Sequence, residues 1–134
     1  EPHWQRVRED QWREVAARAA EVLQSLPENS WVAILGDFNV CGDQLGLRVD
    51  GGTEYAKLKA AIADAGFAHD LVGQSHLATL RKSFSPHALR CSVDHVFVNS
   101  TLHDHLIQAS VLDTRGKDGL IVSDHNGILV ELQL

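Results

Sequence analysis

Between residues 4 and 35 the apolar pattern changes period once, and that change constrains the fold more than any other feature. From Trp4 to Leu26 the apolar residues Trp4, Val7, Trp12, Val15, Ala19, Val22, Leu23 and Leu26 recur at steps that trace one face of an amphipathic helix. Arg6, Arg13, Glu14, Arg18 and Glu21 fill the other face. Pro27 stops the helix, because a proline ring crowds helical geometry in the residue before it. The run Trp31-Val32-Ala33-Ile34-Leu35 then has no polar alternation and ends at Gly36, which reads as a strand covered on both faces.

The rest of the chain continues this helix-and-strand grammar. Residues 39–52 are rich in Gly and Asp and show no period. Thr53 suits an N-cap for a second helix, with Tyr55, Leu58, Ile62 and Ala65 inward and Gly66 just past its end. Residues 67–91 read as loop with room for one short helix. Ser92 to Asn99 alternates, with Val93, His95 and Phe97 on one face and Asp94, Val96 and Val98 on the other, as a strand does. A helical turn is expected at Leu102 to Ile107, then strands at Ala109 to Leu112 and Ile128 to Leu132. Helices that alternate with strands, followed by a run of strands, predict an α/β fold: a mixed sheet with helices on one face. At 134 residues and 44% hydrophobic, the chain suffices for one domain with a buried core.

Composition removes several classes. The apolar runs fall short of the ~20 residues of a membrane-spanning helix, and no charged-then-apolar leader pattern opens the chain. A net charge of −6 argues against tight non-specific binding to nucleic acid, which requires Lys and Arg against phosphates, without excluding a local basic patch. Cys41 and Cys91 are too few for a disulfide scaffold, have no CxxC spacing, and read as free thiols. There is no P-loop and no GxGxxG, and Gly73-Gln74-Ser75-His76-Leu77 lacks the second glycine of a nucleophile elbow. His103-Asp104-His105 falls on an expected helical turn, where residues two apart point away from each other, and reads as surface. His69, His76 and His87 read as isolated.

Three motifs remain. Gly36-Asp37-Phe38-Asn39 stands where the first strand meets a loop, a rigid place from which to present polar groups. By itself it is read equally well as a turn. Asp94 lies on the apolar face of its strand, which is costly unless the carboxylate is paired and hydrogen-bonded. Ser123-Asp124-His125 precedes the last strand. A histidine held by a buried aspartate has its tautomer fixed and its charged form stabilised, and Asp124 is a hard oxygen donor suited to Mg²⁺ or Mn²⁺. Taken singly, Asp124 and His125 would be turn residues.

In this order the motifs resemble the endonuclease/exonuclease/phosphatase superfamily of DNase I-like nucleases, apurinic endonucleases, inositol-phosphate 5-phosphatases and neutral sphingomyelinases. The resemblance spans nearly the whole chain. It begins with the helix carrying Arg8 and Gln11, continues through Gly36-Asp37-Phe38-Asn39 and Ser92-Val93-Asp94-His95-Val96-Phe97-Val98, and ends at Ser123-Asp124-His125. His95 stands where the family usually has tyrosine, and Asn126-Gly127-Ile128 where a proline commonly follows. The resemblance implies half of a DNase I-like four-layer sandwich. Residues 1–134 would be its C-terminal half, and the N-terminal half, with its metal-binding Glu, would be absent from this chain.

What the resemblance further implies is hydrolysis of a phosphoester by activated water. Asp37 would orient or deprotonate the water, and Asn39 would hydrogen-bond water or phosphate. His125, held by Asp94, would act as general base or stabilise phosphoryl charge, while Asp124 would help hold Mg²⁺, with Mn²⁺ an alternative. The substrate could be nucleic acid, a phospholipid headgroup or a small phosphate. Since half a sandwich leaves an apolar sheet face open, the missing N-terminal half or a second copy should cover it. The rival expectation is a non-catalytic interaction module that keeps the motifs.

Overall fold

The computed structural model describes residues 3–42, 53–72, 92–113, 117–119 and 123–134. The expectations for Ser75, His76 and His87 lie outside these residues. Three helices and five strands are described: α1 (His3–Ser25), β1 (Ala33–Asp37), α2 (Thr53–Asp64), β2 (His69–Asp70), β3 (Asp94–Val98), α3 (Ser100–His103), β4 (Leu106–Leu112) and β5 (Gly127–Leu132). The α/β class therefore holds. In place of one mixed sheet, the described strands form two small antiparallel sheets, ordered β1-β3-β2 and β4-β5.

The two long helices form where periodicity placed them. Trp12 and Ala16 of α1 pack with Tyr55, Leu58 and Ile62 of α2 on the face of β3 that carries Phe97, with Ala19, Leu23 and Ile34 at the margin. Arg8 ties the helices together, donating from Nε and Nη2 to the two carboxylate oxygens of Glu54 at 2.8 and 2.9 Å. Helix α2 ends in a Schellman arrangement. Phe67 N donates to Ile62 O and Gly66 N to Ala63 O, with Gly66 at φ 106°. Any side chain there meets a second obstacle, because a Cβ would stand 2.6 Å from Leu23 Cδ2 of α1.

On the opposite face of β3, Val96 and Val98 form a second cluster with Leu71, Val72 and Leu102. Leu106, Ala109, Ile128, Val130 and Leu132 of the β4–β5 pair pack against it. The helical turn lies earlier than expected, at Ser100–His103, because Asn99 caps it by accepting from Leu102 N, and β4 already begins at Leu106.

Three further expectations are corrected. β1 is not covered on both faces: Ile34 is half-buried but Leu35 is 71% exposed. Likewise Val7, Val15 and Val22, expected inward, are 40–51% exposed. The apolar arc of α1 is wider than α2 covers, so one flank packs and the other faces outward. That flank and β1, which pairs with β3 alone among the described strands, form one continuous open surface. Cys41, expected as a free thiol, is disulfide-bonded. The sequence's other cysteine, Cys91, lies outside the described residues.

Candidate active site

The antiparallel register of β1 and β3 pairs Asp37 directly with Asp94. Like charges across a ladder oppose each other, so such a pair normally requires a counter-charge. Here it comes from the segment leading into β5. His125 Nδ1 lies 2.7 Å from Asp94 Oδ2, and the donor atoms of Asp37, Asp94 and His125 all fall within 4.8 Å of one another. Three segments far apart in sequence thus meet at one end of the sheet.

Each side chain has its own support. Ser92 Oγ donates to the Asp94 carbonyl at 2.7 Å, fixing the start of β3. Ser123 Oγ accepts from the backbone N–H of His125 at 3.1 Å, shaping the turn into β5. Asp37 Oδ1 accepts from Asn39 N at 2.8 Å. Asn39 takes the left-handed conformation at φ 53°, which its short polar side chain tolerates better than most, and is exposed beside Asp37. Gly36 has open space where a Cβ would stand.

The electrostatics favour a charged imidazole. Asp94's hydrogen bond raises the His125 pKa above its ordinary 6.5, and the charges of Asp94, Asp37 and Asp124 push the same way against partial burial. Two cavities flank β1. One of about 650 Å³ is lined by Arg8, Gln11 and Val15 of α1 together with Leu35, Asp37 and Asn39. The other, of about 420 Å³, is lined by Leu35, Asp94, Asn126, Ile128 and Val130.

Comparison with protein-family models, curated proteins and solved structures finds no match.

Of the five residues singled out in the sequence, the structure brings Asp37, Asp94 and His125 into one cluster and places Asn39 in the adjoining turn. Asp124 is exposed on the bend before His125 and is not a member of the cluster, although its charge acts on His125. The donor set is carboxylate oxygen plus one imidazole whose Nδ1 is taken by Asp94. That chemistry fits a hard cation that keeps several waters, such as Mg²⁺ or Mn²⁺, better than a soft metal. No such group forms around His103 and His105 among the described residues. His103 instead stacks on His69 with ring centroids 3.8 Å apart, so His69 is not isolated. His105 packs on Trp31 at 4.4 Å.

Two polar arrangements escaped the sequence reading. The Arg8–Glu54 pair could have been noticed, since Arg8, Trp12, Val15 and Ala19 share one helical spacing and Arg8 interrupts an otherwise apolar arc. A buried contact between Asp70 and His95 left a fainter trace: a lone carboxylate just before the apolar pair Leu71-Val72, in a segment with no readable period.

Proposed function

We propose that this chain is the C-terminal half of an endonuclease/exonuclease/phosphatase-type domain and contributes the acid–base residues of a metal-dependent phosphoester hydrolase. The observation that carries the reading is the meeting of His125 and Asp94 at 2.7 Å beside Asp37. In this account Asp94 holds Nδ1, which fixes the ring and leaves proton transfer to Nε2. Asp37 orients the attacking water and takes part in its deprotonation. Asn39 donates from its side-chain amide to the water or to a phosphoryl oxygen. Asp124, exposed beside the cluster rather than within it, would help hold Mg²⁺, with further oxygen donors from the N-terminal half. The bound ion would supply polarisation of the phosphoryl group and neutralise its developing charge.

Half of a sandwich also explains the uncovered apolar surface. Leu35, Val7, Val15 and Val22 form the face on which the N-terminal half would pack, closing the site from above. The substrate is a phosphoester of nucleic acid, phospholipid or small-phosphate type. The test is hydrolysis by the full-length protein of a generic phosphodiester, sphingomyelin, DNA and phosphomonoesters, each with Mg²⁺ and with EDTA. Mg²⁺-dependent release on at least one substrate, abolished by EDTA, supports the reading. Silence on all of them would favour a non-catalytic interaction module.

A further inference from the structure

Consecutive residues of β3 send two aspartate–histidine contacts to opposite faces of the sheet. Asp94 meets His125 on the side of the β4–β5 pair, whereas His95 meets Asp70 on the helix side. The second contact is sealed, with side-chain exposures of 0% for His95 and 1% for Asp70. His95 Nδ1 lies 2.7 Å from Asp70 Oδ2, and Nε2 donates to the Val40 carbonyl at 2.6 Å. That carbonyl can only accept, so Nε2 carries hydrogen. Asp70 is itself fixed, accepting from Tyr55 Oη at 2.6 Å and from Val72 N at 3.1 Å. The imidazole stacks on Tyr55 with centroids 5.3 Å apart and meets Phe38 edge-on at 5.9 Å.

Val40 directly follows Asn39, the residue held in the left-handed conformation. The turn from Asp37 to Gly42 is tied to the two residues just before β3 by backbone bonds, Phe38 N to Val93 O and Gly42 N to Ser92 O. Between these ties, the His95 side chain links the turn to β3. The gripped carbonyl belongs to the peptide joining Val40 to Cys41, so it anchors the turn one residue beyond Asn39 and limits how far the Asp37–Asn39 stretch can shift.

We propose that His95 is a positioning residue for the candidate active site: locked by Asp70, its ring holds the Val40 carbonyl and thereby sets the Asp37–Asn39 turn. This rests on the phosphoester-hydrolase reading for its catalytic consequence, though not for its structural one. Groups that orient active-site residues typically matter by about 10–100-fold in activity when removed.

The test has two arms. In the first, amide spectra by solution NMR compare this chain with His95→Phe, which keeps the ring packing and loses both polar contacts, and with His95→Gln, whose side-chain amide can still donate to Val40. The Asn39 and Val40 signals should shift or broaden in His95→Phe while those of α1 and α2 stay in place, and return toward their original positions in His95→Gln. Unmoved Asn39 and Val40 signals in a folded His95→Phe would overturn the proposal. Should His95→Phe not fold, Asp70→Asn, which releases the ring but keeps the volume, is read by the same signals and the same criterion. In the second arm, His95→Phe in the full-length protein should lower kcat about 10–100-fold with KM little changed, and His95→Gln should recover most of it. An equal loss in both variants, or none, would contradict the positioning role. A wild-type protein inactive on every phosphoester would instead reject the hydrolase reading, and the spectra would still decide the role of His95.

Discussion

At the scale of single residues, the two carboxylates paired across β1 and β3 share one imidazole, hydrogen-bonded to Asp94, as their counter-charge, and this has a consequence for stability. The folded-state pKa of His125 is raised above 6.5, principally by its hydrogen bond to Asp94. A raised value means that the folded chain binds the proton more tightly than the unfolded chain does. The resulting stabilisation is fully present below the unfolded value and is lost as pH rises through the folded one. In metal-free buffer, the melting temperature of the wild type relative to His125→Gln should therefore fall as pH rises above 6.5. A difference that stays flat or grows with rising pH would show that the contact does not favour the charged ring. His69 behaves oppositely. Burial, then the neighbouring His103, lowers its pKa below 6.5, with Asp104 pulling weakly the other way. Its contribution is fully present above the unfolded value and is lost as pH falls through the lower folded one, so His69→Gln should blunt the loss of stability on the acid side. An acid limb unchanged in that variant would dismiss the effect.

At the scale of elements, the join between α1 and α2 depends on a position with no room for a side chain. Gly66 combines a positive φ with a 2.6 Å approach to Leu23, so Gly66→Ala should destabilise the chain by about 1–3 kcal/mol through backbone strain, with the clash adding to it. Denaturant unfolding measures this, and a change within a few tenths of a kcal/mol would refute the account of the helix end. Both helices and the Gly66 terminus were legible in the sequence because a helix writes its partner face as a period and its end as a glycine. β1 was misread for a physical reason. A continuous apolar run records that both faces are to be covered, and here Leu35 is left largely exposed. The contact of Asp70 with His95 was illegible because neither a strand two residues long nor a lone aspartate carries a period.

At the scale of the whole molecule, the candidate site was legible as a list and illegible as an arrangement. The sequence offered Asp37, Asn39, Asp94, Asp124 and His125 in order, yet only the fold could place three of them together and leave Asp124 outside the cluster. The open flank of α1 and β1 is the matching large-scale feature. Leu35→Lys changes a side chain that is 71% exposed, so it should alter the stability of this chain by no more than about 0.5 kcal/mol. On the proposal that an N-terminal half covers this flank, it should nevertheless weaken association with that half produced separately, as titration calorimetry would report; undiminished binding would contradict that proposal. The central claim is that the His125–Asp94 contact performs chemistry. Its most direct test is the steady-state rate of full-length Asp94→Asn against wild type on whichever phosphoester the wild type hydrolyses. The account predicts a loss of several orders of magnitude in kcat with the fold intact by circular dichroism, because the ring loses both its orientation and its counter-charge. Turnover by a folded Asp94→Asn protein at close to the wild-type rate would contradict it.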